Sequence, residues 1–101
     1  MKKRIPKHIR MGGQDIDVSI IDHCSDYICG ECCLSAGFLH IGEKLTVGDQ
    51  SESSKINTFY HELTHLVLDT MGRQDLSSDE TFVSSFAGFL TEAMAKAVFT
   101  D

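Results

Sequence analysis

Residues 54–71 read SKINTFYHELTHLVLDTM. Within them Ile56, Phe59, Tyr60, Leu63, Val67 and Met71 recur at intervals of three and four, the apolar stripe of an amphipathic helix. Ser51, Ser53 and Ser54 stand where an N-cap is expected, and Gly72 where a residue just past the helix is. His61 and His65 are four apart, so on this helix their imidazoles stand one above the other and reach a single metal ion. Glu62 is rotated off that line but reaches a water on the metal. Two neutral nitrogen ligands and a carboxylate base are the constellation of a zinc hydrolase. The same letters also arise as two surface histidines beside an unrelated glutamate. Their place in mid-helix, next to the apolar stripe, favours the metal.

A catalytic zinc needs a third protein ligand. Zincins that take it from the same segment have glycine three residues past the second histidine and a ligand three further on. Those positions are Leu68 and Met71 here, which excludes that class. Asp69, one turn beyond His65, is expected to orient a histidine rather than bind metal. Glu80 is the expected ligand, in the first turn of a last helix opened by Ser77-Ser78-Asp79-Glu80 and running to about Val98. Ser77 and Glu80 also have the spacing of a capping box, the competing role for that carboxylate. Phe82, Val83, Phe86, Ala87, Phe89, Leu90, Ala93, Met94, Ala97 and Val98 give this helix a wide apolar face.

Upstream, residues 7–21 read as a β-hairpin turning at Gly12-Gly13, with Ile16, Val18 and Ile20 alternating with polar residues. Residues 36–47 read as a second hairpin and as the strand whose edge receives an extended substrate. Residues 22–35 have no periodicity but hold Cys24, Cys29, Cys32 and Cys33. Cys29 and Cys32, with His23 or Cys24, are candidates for a second metal site; reduced thiols in a loop are the simpler expectation.

The chain of 101 residues, 42% hydrophobic and 24% charged, fits a single globular domain over residues 1–101. Lys2, Lys3, Arg4, Lys7 and Arg10 make the first ten residues strongly basic, while the rest carries four basic and fifteen acidic side chains. That acidic body repels phosphate backbones and suits a cation site, so nucleic acid is not an expected partner; residues 1–6 read as a solvated basic tail. No apolar run has signal-peptide or transmembrane character, giving a cytoplasmic expectation with no membrane partner.

HELTH within Thr58–Asp69, followed by the run ETFVSSFAGFL from Glu80, resembles the ImmA/IrrE-like zinc peptidases, particularly short phage and prophage members. The likeness covers about residues 37–95. It implies Zn2+ held by His61, His65 and Glu80, Glu62 as catalytic base, a protein or peptide substrate, and a bacterial host cytoplasm. A second resemblance, Glu31-Cys32-Cys33-Leu34-Ser35 ahead of HExxH, is to peptide deformylases and implies Cys33 as third ligand; Thr64 stands where that family has aspartate. The expected fold is α+β: a small antiparallel sheet of two hairpins packed on the HExxH helix and a long C-terminal helix, a minimal zincin-like domain. The reading from a different class is a catalytically silent, zinc-stabilised interaction module. Tyr60, Tyr27, His23 and His40 are candidates for stabilising an oxyanion.

Overall fold

The computed structural model describes residues 5–100, so Lys2, Lys3 and Arg4 of the expected tail lie outside the described residues. Ile5, by contrast, packs against the core, and Lys7 O accepts from Val18 N at 2.9 Å. Part of the segment read as a solvated tail is therefore packed on the core.

Strands β1 (His8–Met11) and β2 (Gln14–Ile21) form the expected hairpin, with Ile9 opposite Ile16. Both turn glycines have positive φ, 59° at Gly12 and 83° at Gly13, as a two-residue turn between twisted strands requires. Ile16 and Val18 point into the core. A 3₁₀ turn at Ser25–Tyr27 leads to β3 (Gly30–Cys33), which pairs antiparallel with β4 (Phe38–Gly42). The second hairpin is thus β3–β4, and it includes residues that lack periodicity in the sequence. Lys44–Leu45 (β5) and Gly48–Asp49 (β6) make a separate two-stranded ribbon.

The α+β class is as expected, but the sheet is mixed rather than wholly antiparallel. Its order is β1-β2-β4-β3, and β2 runs parallel to β4 with Val18 opposite Leu39. Strand β4 is therefore internal and buries Leu39 and Ile41. It has no free edge; the edge strand beside it is β3.

Helix α1 (Glu52–Thr70) crosses one face of the sheet, with Ser51 as N-cap accepting from Ser54 N at 3.2 Å. Phe59 and Leu66 join Ile16, Val18, Leu39 and Ile41 in the core. Lys55 is buried and paired with Glu43 and Glu52. The connection after α1 contains a short helix, α2 (Gln74–Ser77), before α3 (Glu80–Ala95), which ends three residues short of the expected Val98. Val83 and Ala87 bury α3 beside α1. Among the described residues no helix is long and apolar enough to cross a membrane.

Candidate metal centre

His61 and His65 lie in the third and fourth turns of α1, and Glu80 opens α3. Packing α3 along α1 brings the three together. His61 Nε2 is 3.3 Å from Glu80 Oε1, and His65 Nε2 is 3.4 Å from Glu80 Oε2. One ligand atom from each residue falls within 4.8 Å of the others, so the group could hold a metal ion. Two donors each about 2.0–2.1 Å from a tetrahedral ion lie about 3.3 Å apart, and each His–Glu spacing matches that value, though to a different oxygen of Glu80.

Glu80 is free to serve there because it does not cap its helix. The N-cap of α3 is Asp79, whose Oδ1 accepts from Phe82 N at 3.1 Å. Ser77, which would be the first residue of a capping box, belongs instead to α2 and is buried against the site. Its Oγ lies 3.0 Å from His65 Nδ1. Asp69 does not fill the expected orienting role: its Oδ1 accepts from Gln74 Nε2 at 3.1 Å. A straight helix carries residue 69 past His65, whereas α2 folds back to meet the ring.

A cleft of about 620 Å³ opens in front of the group, between α1 and the chain from Ile28 to Cys32. Glu62 borders it but is only 8% exposed, and its Cγ lies close beneath Gly30. Burial pushes the Glu62 carboxyl up, with the Cys32 thiol and His61 acting in the opposite direction. Gly30 is the close-approach point of sheet and helix. A Cβ there would meet Thr58 Cγ2 at 2.5 Å.

The edge of the cleft is β3. Gly42 N donates to Cys29 O at 2.8 Å, so the main-chain groups of residue 29, and by alternation 31 and 33, face β4. Those of Gly30 and Cys32 face the open side. Gln50 holds this edge against α1: Nε2 donates to Gly42 O at 2.7 Å and Cys29 O at 3.3 Å, while Oε1 accepts from Ser54 Oγ and Thr58 Oγ1. Its role is not legible in sequence, because its partners come from three separate segments.

Neither alternative metal arrangement is assembled. Cys29 lies in a bend just before β3 and Cys32 within the strand, where its thiol is directed to Glu62 O at 3.6 Å. His61, His65 and Glu80 are the only potential ligand group among the described residues, so neither cysteine joins His23 or Cys24 in a second one. Cys33, the deformylase-like ligand, sits near Ser35 Oγ and does not border the cleft. None of Tyr60, Tyr27, His23 and His40 borders it either. His23 stacks on Tyr27, and His40 stacks on Phe38 and pairs with Glu31. Asn57 does border the cleft, one helical turn before His61. Its side-chain amide meets Thr91 Oγ1 at 3.0 Å, a hydroxyl that also reaches Ala87 O at 2.7 Å. The spacing 57, 61, 65 is the sequence signal that identifies it.

Comparison with known proteins finds no matching family model, no matching curated protein and no matching solved structure.

Proposed function

We propose that this chain is a zinc-dependent peptidase of the ImmA/IrrE-like kind. The observation that carries the reading is the convergence of His61 Nε2 and His65 Nε2 on the Glu80 carboxylate, inside a cleft bordered by a strand edge. His61, His65 and Glu80 form a two-histidine, one-carboxylate donor set, which suits zinc with a fourth position open. With Nδ1–H of His65 donating to Ser77 Oγ, the Nε2 lone pair is kept for the ion. Zinc, when bound, supplies a Lewis acid and lowers the pKa of a water in its open position to about 7.

Glu62 would take the proton from the attacking water and deliver it to the leaving amine, so one carboxyl serves as base and then acid. Its cover by β3 keeps it apart from bulk solvent. An extended protein or peptide segment would add antiparallel to the open edge of β3, bonded to the main chain of Gly30 and Cys32. The Asn57 amide would donate to a substrate carbonyl beside the ion. The acidic body, and a cleft lining that holds no Lys or Arg among the described residues, make nucleic acid a poor partner. A cytoplasmic setting, in a bacterial host for a phage-borne copy, belongs to the same proposal.

The test is metal content together with hydrolysis of unfolded proteins. One zinc per chain, cleavage by the native sequence, and zinc-replete but inactive Glu62→Gln are expected. Loss of zinc in Glu62→Gln would make Glu62 structural. Stoichiometric zinc without cleavage by the native chain would favour the silent interaction module instead.

A further inference from the structure

Helix α3 carries two apolar seams with the same four-three-four spacing. Val83, Ala87, Leu90 and Met94 form the first, and Val83 and Ala87 are fully buried toward α1. The second, Phe82, Phe86, Phe89 and Ala93, lies about 100° round the helix, where Phe86 is 51% and Phe89 72% exposed. Phe82 and Phe86 stack with centroids 6.0 Å apart. They wall an apolar groove of about 440 Å³ whose other side is Leu63, Val67 and Met71 of α1. Val67 and Met71 belong to the stripe that marks α1 as amphipathic, yet they are 37% and 65% exposed. The exposed side chains leave on the order of 400 Å² of apolar surface, close to the apolar share of an interface burying about 800 Å² per partner.

We propose that this face is the contact between two copies of the chain, joined by antiparallel pairing of α3 with α3 about a two-fold axis. The argument for a second copy is that the seam is palindromic. Its four-three-four spacing reads the same in both directions about a point midway between Ala87 and Gly88. In that register Phe86 of one copy meets Phe89 of the other, and each Phe82 meets the small Ala93, as opposed layers of an antiparallel coiled coil do. The same register sets Lys96 of each copy opposite Asp79 of the other. Within one copy Lys96 forms no ion pair among the described residues, and Asp79 uses only Oδ1 for its cap. These exposed pairs set orientation rather than strength.

Sedimentation equilibrium on the full chain tests the pairing. A concentration-dependent dimer is expected, with Phe89→Glu weakening it about thirty-fold or more. Because Phe89 is exposed, the variant keeps its fold, which circular dichroism checks. Ala93→Phe separates this register from general stickiness: it sets Phe against Phe82 of the other copy and weakens the dimer, whereas nonspecific association would tighten. A monomer at concentrations up to about 1 mM, or a tighter dimer in Ala93→Phe, overturns the proposal and leaves the face to a different protein.

Discussion

Ser77 Oγ lies 3.0 Å from His65 Nδ1, across a break between helices α1 and α2 that no local pattern announces. The contact fixes the ring plane and orients its far nitrogen toward Glu80. Ser77→Ala should therefore lower zinc affinity about 10- to 100-fold, the usual effect of removing a partner from a metal-bound histidine. Thr at this position should recover most of the loss. Chelator competition on both variants measures it, and unchanged affinity in Ser77→Ala would show that packing alone holds the ring.

The first turn of α3 divides two jobs between neighbouring acids. Asp79 caps the helix, and Glu80 faces the histidines. Asp79→Ala should cost about 1 kcal/mol of stability and leave zinc in place. Glu80→Ala should lose zinc by orders of magnitude with little effect on stability of the metal-free chain. Cys33→Ser should change neither. Full zinc retention by Glu80→Ala would remove it from the ligand set.

The parts of this arrangement that were legible in sequence are those fixed by local spacing. The helix over residues 52–70, the hairpin turning at Gly12-Gly13, and the convergence of His61, His65 and Glu80 follow from periodicity and from the need for a third ligand. What was illegible depends on distant pairing. Strand β3 reads GECC, and its one deeply buried residue is a glycine whose side-chain-free surface is needed by α1. The parallel pairing of β2 with β4 requires β3 to be recognised first. Val67 and Met71 show the converse limit: periodicity marks an apolar face without saying whether this chain covers it.

The four cysteines should separate sharply in reactivity. Burial pushes the Cys24 thiol up to about 11 and raises Cys32 as well, whereas the Ser35 hydroxyl beside Cys33 lowers its thiol. Cys29 is exposed at the cleft. Brief alkylation of the native chain near neutral pH should label Cys29 and Cys33 and spare Cys24 and Cys32, because the thiolate is the reacting species. Peptide mapping by mass spectrometry reads the pattern. Early labelling of Cys32 would mean that β3 lifts from α1 on the labelling timescale.

A double-mutant cycle tests that same contact. Gly→Ala in a strand ordinarily stabilises through the unfolded state where the backbone and space allow it. At Gly30 the opposite is expected, because the added methyl would lie 2.5 Å from Thr58 Cγ2, 3.1 Å from His40 O and 3.2 Å from Glu62 Cγ. Gly30→Ala should destabilise by about 1–3 kcal/mol as β3 is pushed off the helix. Thr58→Ser removes the nearest atom while keeping the hydroxyl that donates to Gln50 Oε1 at 2.7 Å. Alone it should cost about 0.5–1.5 kcal/mol for a lost buried methyl. Combined, the two changes should cost at least about 0.5 kcal/mol less than their sum, since the serine makes room for the alanine. Relief should be partial, because the His40 carbonyl is backbone and Glu62 is held in the site. Denaturant unfolding of the four chains gives the coupling, and strict additivity would mean that Gly30 does not pack on Thr58 in solution.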